Sequence, residues 1–124
     1  MKITGITTQF VVADVVKTAE YYRDVLGFEI IGYFLEPPVY AMVERDGIQI
    51  HFGKADADEV QNSNLSLRKV GFDLYFWVTE IETLFEELAA KKVEVIEPLT
   101  KRVYGNCEFS ILDCNGFKIV FGET

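Results

Sequence analysis

Two stretches of this chain repeat apolar residues with the period of an α-helix, and shorter runs between them alternate apolar and polar residues as strands do. The first stretch predicts a helix over about 15–26, with Asp14 as its N-cap and Gly27 at its end. The second predicts a helix over about 80–91. The apolar positions that set the period are Val15, Ala19, Tyr22 and Leu26 in the first helix and Ile81, Leu84, Phe85 and Leu88 in the second.

The same order of elements occurs twice along the chain. In each half a strand end leads into a helix, then into a strand at 28–31 or 93–96, and then into a hairpin. The dipeptides Asp46-Gly47 and Asn115-Gly116 are strong signals of two-residue hairpins. Corresponding elements stay 65 to 69 residues apart. The pattern therefore predicts an internal repeat, and an α+β fold in which each half is a strand, a helix and three strands.

We place module one at about 1–53 and module two at about 71–124, within a single domain of 124 residues. The stretch between them, about 54–70, is long and polar and contains the acidic run 55–59. We expect this stretch to be a mobile linker whose acidic run is solvated.

Strand parity divides the predicted strands into two faces, because successive side chains alternate across a sheet. One face is wholly apolar and is expected to pack on the helices: Phe10, Val12, Ile48, Ile50, Phe52, Phe72, Leu74, Phe76, Val78, Phe117, Ile119 and Phe121. The other mixes polar and large aromatic residues: Thr7, Gln9, Val11, Gln49, His51, Asp73, Tyr75, Trp77, Lys118 and Val120. This mixture favours a concave, partly wet site over a plain solvent face. The alternative is that this face forms a dimer interface. The two interpretations are compatible if the ligand site forms at that interface.

Composition and charge narrow the class of partner. The chain has 20 acidic residues against 12 Lys and Arg, for a formal charge of -8, which argues against nucleic acid and against anionic membranes. The two cysteines, Cys107 and Cys114, are too few for a disulfide scaffold and are expected to be reduced thiols, with a bridge across a hairpin as the alternative. Without an apolar signal sequence or a membrane-spanning run, the sequence favours a cytoplasmic protein.

Several segments resemble the vicinal-oxygen-chelate superfamily, which includes glyoxalase I, extradiol dioxygenases, fosfomycin-resistance enzymes and bleomycin-resistance proteins. The segments that carry the resemblance are 12–15, 21–29, 73–78, 104–109 and 113–122. The resemblance implies two tandem βαβββ modules that form a curved mixed sheet around a cleft, with the helices on the outer face. It also implies a homodimer.

Enzymes of this superfamily hold a divalent metal with one His or Glu from each of four strands. Carried over, these positions fall on Thr7, Gln49, Asp73 and Val120, and a strand slip of two residues brings His51, the one histidine, to the second position. Valine has no donor atom, and Thr and Gln are weak neutral donors. We therefore predict no metal ligands and no cofactor, and the sequence leans against an enzyme.

The resemblance is closest in character to the bleomycin-resistance branch, whose members are small acidic dimers that sequester a drug. It implies a metal-independent protein that binds a drug or another natural product, with a role in antibiotic resistance as one example. Aromatic side chains would stack on the rings of the ligand, Asp73 would face its cationic or polar groups, and Gln49 and His51 would form hydrogen bonds. The predicted ligand-binding residues are Gln49, His51, Asp73, Tyr75, Trp77, Phe109, Tyr33 and Tyr40.

The main alternative is a metal-dependent glyoxalase-like lyase or dioxygenase, in which His51, Asp73 and Glu108 hold a divalent metal. A third hypothesis is a structural or regulatory domain whose cleft is filled by its own side chains. Glu108 and Asp113 are otherwise expected to form hydrogen bonds at the turn and edge of the closing hairpin.

Overall fold

The computed structural model describes residues 1–57 and 63–124, which form two compact units, Met1–Gln61 and Asn62–Thr124. Each unit contains a four-stranded mixed sheet and a helix of ten residues. Each also has the order strand, helix and three strands, so the predicted α+β fold of two βαβββ modules is confirmed. The elements of the first unit are β1 (Thr8–Val12), α1 (Val15–Asp24), β2 (Glu29–Phe34), β3 (Tyr40–Arg45) and β4 (Ile48–Lys54).

The sheet of the first unit has the order β1-β4-β3-β2, with β1 parallel to β4 and the other pairs antiparallel. Helix α1 begins where predicted, because the Asp14 side chain accepts a hydrogen bond from the backbone N–H of Lys17 at 3.0 Å. It ends two residues before the predicted end, and Gly27 then takes φ = 78°. Tyr22 is fully buried and packs against Phe52 of β4, with ring centroids 4.9 Å apart.

The second unit adds one short helix before its repeat of the same fold. Its elements are α2 (Asn64–Arg68), β5 (Leu74–Trp77), α3 (Ile81–Ala90), β6 (Glu94–Lys101), β7 (Cys107–Leu112) and β8 (Lys118–Glu123). The sheet order is β5-β8-β7-β6, with β5 parallel to β8. Helix α3 lies one residue inside each predicted end, and the backbone N–H groups of Glu80 and Ile81 donate to the Glu123 carboxylate.

The two hairpin dipeptides differ in their turns. Asp46 and Gly47 have φ of 51° and 80° and join β3 to β4 as a two-residue loop, as predicted. The second turn is wider, because the Asp113 backbone N–H bonds to the Phe117 carbonyl and the Asp113 carboxylate accepts the Asn115 and Phe117 N–H groups. The predicted turn role of Asp113 is therefore confirmed, while the two-residue loop is wrong at this hairpin.

The predicted linker contains the short helix α2, which the sequence pattern did not indicate. Its N-cap is Ser63, which accepts the Ser66 N–H at 3.0 Å. Residues 58–62, with part of the acidic run, lie outside the described residues. Cys107 and Cys114 are present as thiols, as predicted. Among the helices that the structure describes, none is long and apolar enough to cross a membrane.

Half of the twelve residues on the apolar face predicted from strand parity are buried, and four more are half-buried. In the second unit, Phe76 of β5 packs against Phe121 of β8 with ring centroids 5.5 Å apart. Two members of the predicted set are wrong. Ile48 at the start of β4 and Phe72 before β5 are each 46% exposed, and the Phe72 ring packs against Tyr75, which lies on the opposite face of the sheet from the core.

Candidate functional site

A pocket of about 530 Å³ lies within the second unit, on the sheet face that points away from α3. The register explains which side chains reach it. Tyr75 of β5 pairs with Val120 of β8, which pairs with Ser110 of β7, so these three share one face. The residues that line the pocket are Gly71, Phe72, Tyr75, Glu97, Thr100, Lys101, Arg102, Val103, Tyr104, Glu108, Lys118 and Val120.

Glu108 forms the floor of this pocket and is only 5% exposed. Its Oε1 accepts hydrogen bonds from the Tyr104 hydroxyl at 2.6 Å and from Arg102 Nε at 3.3 Å, and its Oε2 accepts the Tyr75 hydroxyl. Burial raises the pKa of Glu108, but these three hydrogen bonds outweigh burial and hold the pKa below its ordinary value. Burial and the bond to Glu108 in turn raise the pKa of Tyr75 to about 12. At neutral pH the floor is therefore an ionised carboxylate held by two neutral phenols.

Glu97 of β6 carries a second network beside the first. Its Oε1 accepts the Ser110 hydroxyl at 2.7 Å and lies 2.9 Å from Lys118 Nζ, and its Oε2 accepts Arg102 at 2.9 Å. The hydrogen bonds from Lys118 and Ser110, together with Arg102, lower the pKa of Glu97 to about 2. Arg102 thus bridges the two carboxylates, and Lys118 forms a second ion pair with Glu97.

The lowered pKa of Glu97 predicts a pH dependence of stability. A carboxylate with a folded pKa of about 2 against an ordinary 4.5 contributes stability that is present above pH 4.5 and lost as pH falls toward 2. Because the Glu97 side chain is 40% exposed, we expect Glu97→Gln to lower the free energy of unfolding by only about 1 kcal/mol at neutral pH. Urea unfolding from about pH 6 to about pH 2.5 should show this difference shrink as the solution becomes acidic. A difference that stays constant over that range would contradict the assignment.

Gly122 makes the Tyr75–Glu108 contact possible. It lies in β8, opposite Glu108 of β7 and Trp77 of β5. A Cβ atom at this position would stand 2.0 Å from the Tyr75 hydroxyl oxygen, far inside van der Waals contact. Only glycine therefore leaves room for Tyr75 to reach across β8 to the carboxylate.

The first unit carries a polar chain on the corresponding face of its own sheet. The Tyr40 hydroxyl lies 2.8 Å from His51 Nδ1, His51 Nε2 lies 3.0 Å from Gln49 Oε1, and Gln49 Nε2 donates to Glu44 at 3.3 Å. Because the Gln49 oxygen only accepts, His51 donates to it from Nε2. Both side chains thus form hydrogen bonds within the first unit, and their hydrogen bonds to a ligand stay a prediction.

Strand register also identifies the metal position in module one. His51 pairs with Gln9 of β1, as Val120 pairs with Tyr75 of β5, so His51 and Val120 are equivalent in the repeat. Gln49 is equivalent to Lys118, since each is two residues earlier on its strand. The second metal position of the superfamily therefore falls on His51, two residues beyond Gln49 on β4. Its placement on Gln49 was wrong.

The residues at the four superfamily positions do not fit a metal. Val120 has no donor atom, and both ring nitrogens of His51 lie at hydrogen-bond distance from side chains of its own unit. Asp73 accepts a backbone N–H at each carboxylate oxygen, from Asn64 at 2.8 Å and from Lys118 at 2.9 Å. Throughout residues 1–57 and 63–124, no three His, Cys, Asp or Glu side chains are grouped as metal ligands.

Some of the predicted ligand-binding residues lie together. Gln49, His51 and Tyr40 form the polar chain of the first unit. In the second unit the rings of Tyr75 and Trp77 are 4.7 Å apart, with Tyr75 lining the pocket and Trp77 exposed beside it.

Three other predicted residues are placed elsewhere. Phe109 is 1% exposed and stacks on Phe121 beside α3, so its assignment to a ligand site is wrong. Tyr33 pairs with the fully buried Ala41 of β3, so it shares the helix side of the sheet and does not face the polar chain of the first unit. Asp73 caps the N-terminus of α2 and the start of β8 instead of facing a ligand, because both of its oxygens accept backbone N–H groups.

The sequence prediction missed most of the charged pocket. Glu108 was assigned to the edge of a hairpin, but it is buried and accepts three side-chain donors. Parity along β7 could have found it, because Glu108 and Ser110 alternate with the core residues Phe109 and Ile111. Parity could not assign Glu97 to a face of the sheet, because β6 changes register on both sides of it.

Solved structures with the same fold include three that cover nearly the whole chain. TioX from Micromonospora sp. ML1 has a TM-score of 0.77 at 13% identity, covering 97% of this chain and 98% of its own. A glyoxalase/bleomycin resistance protein/dioxygenase from Alicyclobacillus acidocaldarius has a TM-score of 0.77 at 12% identity, covering 97% and 90%. A virulence protein from Salmonella typhimurium has a TM-score of 0.71 at 20% identity, covering 99% and 98%. At these identities the likeness shows the fold alone.

No curated protein matches the sequence. A family model does match, over residues 6–121, and it agrees with the paired βαβββ units and with the motifs of the sequence. The chain belongs to the Glyoxalase/Bleomycin resistance protein/Dioxygenase superfamily.

Proposed function

We propose that this protein binds and sequesters a small aromatic molecule, a drug or another natural product, in the pocket of its second unit and without a metal. The observation that carries the proposal is the pocket itself, which combines aromatic walls with a hydrogen-bonded polar floor. Its volume of about 530 Å³ is within the range of ligand sites in proteins, and its lining combines three aromatic rings with five charged side chains.

The aromatic wall is exposed and ready for contact with a ring. The Phe72 ring packs edge-on against Tyr75, with centroids 5.6 Å apart, and Phe72 remains 46% exposed. Exposed aromatic surface beside a concave site gains free energy when a planar ligand covers it. This supports a ligand with at least one flat ring.

The charges of the pocket favour a neutral ligand over a strongly cationic one. Glu97 and Glu108 face Arg102, Lys118 and Lys101, so the lining carries slightly more positive than negative charge. Both carboxylates already pair with cations, and Asp73, the residue expected to attract a cation, binds backbone N–H groups. A cationic ligand would gain little here, whereas polar substituents on a neutral ring match the hydrogen-bonding groups of the floor.

Metal independence is supported by the donor set at the superfamily positions. Val120 has no donor atom, and Asp73 and His51 are engaged within their own units. A binding protein needs affinity and abundance but no turnover, so the loss of metal ligands leaves its function intact.

We include a homodimer in this proposal, as the superfamily resemblance implies. Trp77 lies on β5, an edge strand of its sheet, and is 65% exposed, and Val11 on the edge strand β1 is 47% exposed. Exposed apolar side chains on edge strands favour contact with a second copy of the chain.

The proposal is tested by calorimetric titration with three probes: bleomycin, the neutral three-ring compound acridone, and the cation 9-aminoacridine. We expect acridone to bind more tightly than 9-aminoacridine, to be recovered chemically unchanged, and to bind equally well with a chelator present. Phe72→Ala should weaken binding about 3- to 10-fold, because it removes one stacking wall. The control is Phe34→Ala, which alters an exposed ring of the first unit (60% exposed) and should leave the affinity unchanged.

The opposing results are equally definite. Failure of all three probes to bind would overturn the binding function. A stoichiometric transition metal in protein purified without chelator, together with conversion of a bound probe, would establish the lyase or dioxygenase alternative. Light scattering on the same samples gives the molar mass, and a single-chain mass would remove the dimer from the proposal.

A further inference from the structure

Tyr104 combines an exposed ring with a buried hydrogen bond. The residue is 63% exposed, yet its hydroxyl donates to Glu108 Oε1 at 2.6 Å, and Glu108 is only 5% exposed. The phenol therefore reaches from the surface into the floor of the pocket. A hydrogen bond to an ionised carboxylate is about twice as strong as one between neutral groups.

The segment that carries Tyr104 is a tight turn between β6 and β7. The Arg102 N–H donates to the Asn106 carbonyl at 2.7 Å, and Gly105, with φ = 103°, donates back to Arg102 at 2.9 Å. Val103 at the tip is fully exposed. Because the turn is closed by its own backbone bonds and lies outside the core, the Tyr104 side chain can leave the pocket without disturbing the sheet.

We propose that Tyr104 occupies the place of the ligand, and that the pocket recognises a hydroxyaryl group whose phenolic hydroxyl replaces that of Tyr104 on Glu108. This inference rests on the proposed binding function and specifies its ligand class. The ring of the incoming group would lie against Phe72 and Tyr75, which line the same pocket.

The chemistry of the pocket floor favours a hydroxyaryl ligand over an apolar ring, a carboxylate or a cation. An apolar ring would displace Tyr104 without restoring a donor to a buried carboxylate, which is costly. A carboxylate ligand would meet the negative charges of Glu108 and Glu97, and a cation would compete with Arg102, which already pairs with both. A neutral donor on an aromatic ring avoids both conflicts and reproduces the bond that the protein makes to itself.

The experiment opens the site with Tyr104→Ala and titrates it with p-cresol, which is the side chain of tyrosine as a free molecule. Affinity is followed by saturation-transfer NMR. We expect p-cresol to bind the variant at least ~10-fold more tightly than the wild-type protein, because the variant removes the internal competitor. Phe34→Ala, a change at an exposed ring of the first unit outside the pocket, should leave the wild-type affinity unchanged.

Two further probes test the hydroxyl itself. Toluene lacks the oxygen, and 4-methylanisole keeps it without the proton, so both should bind Tyr104→Ala at least ~10-fold more weakly than p-cresol. In Tyr104→Ala/Glu108→Gln this preference should fall, and the three probes on Tyr104→Ala alone decide the matter if the double variant does not fold.

The inference is overturned if p-cresol binds both proteins equally, binds neither, or binds the variant no better than 4-methylanisole does. These failures are distinct from failure of the proposed function. If acridone or bleomycin binds the wild-type protein while p-cresol is not preferred on the variant, only the ligand class is wrong.

Discussion

Phe109→Ala should lower the free energy of unfolding by about 3–5 kcal/mol, the usual cost of removing a large ring from a packed core. The Phe109 ring stacks on Phe121 with centroids 4.8 Å apart and meets the Phe85 ring of α3 edge-on at 5.0 Å. The side chain is 1% exposed, so the cavity left by the substitution opens between sheet and helix. Urea unfolding followed by circular dichroism measures the change.

Phe34→Ala is the matched control, since it removes a ring of the same size that is 60% exposed. We expect it to lower the free energy of unfolding by no more than about 1 kcal/mol. If Phe109→Ala instead kept its stability and lost ligand affinity, Phe109 would belong to the ligand site and its place in the core would be wrong. The pair of variants thus separates a residue that holds the fold from one at the surface.

The elements predicted well are those specified by neighbouring residues. Helix α1 depends on Asp14, on Gly27 and on apolar residues within three turns, and all of these can be read locally. The internal repeat added a second copy of each signal, which is why α3 was also found to within one residue at each end. The two dipeptides correctly predicted that a hairpin occurs at each place, but they did not predict the turn type of the second. That turn is wider because the Asp113 side chain accepts backbone N–H groups within it.

The parts of the site predicted poorly depend on contacts distant in sequence. Parity along β7 separates Glu108 from the helix-facing Phe109, but it does not show that Glu108 accepts the hydroxyl of Tyr75, which lies 33 positions away in the chain. The Asp73 carboxylate is engaged by the backbone of Asn64 and of Lys118, which lies 45 positions away in the chain, and no local pattern encodes that meeting. Register changes on both sides of Glu97 in β6 break the parity on which counting along a strand relies.

Gly122→Ala should lower the free energy of unfolding by about 2–3 kcal/mol. This is unusual, because replacing glycine by alanine within a strand does not normally destabilise a protein. The new Cβ would stand 2.0 Å from the Tyr75 hydroxyl oxygen and 2.6 Å from the ring carbon that bears it, so the whole ring must move. Glu108, only 5% exposed, then loses one of its three side-chain donors. The loss follows from the charge-assisted bond and from leaving a buried carboxylate less well satisfied.

Gly53→Ala provides a control from within the repeat, because Gly53 is the equivalent position in β4. There a Cβ would lie 3.1 Å from the end of the flexible Gln9 side chain and at ordinary contact distance, 3.9 Å, from the Tyr40 ring, so we expect the free energy of unfolding to change by less than about 1 kcal/mol. The mechanism itself is tested by a double-mutant cycle with Tyr75→Ala, measured by urea unfolding. Once Tyr75 is removed the clash is absent, so Gly122→Ala should then cost almost nothing. An unchanged cost in the Tyr75→Ala background would contradict the assignment and would mean that Gly122 serves the strand and not the hydroxyl. A coupling of about 2 kcal/mol between the two positions would instead show that this glycine is needed to let a phenol cross β8 and hold the floor of the pocket.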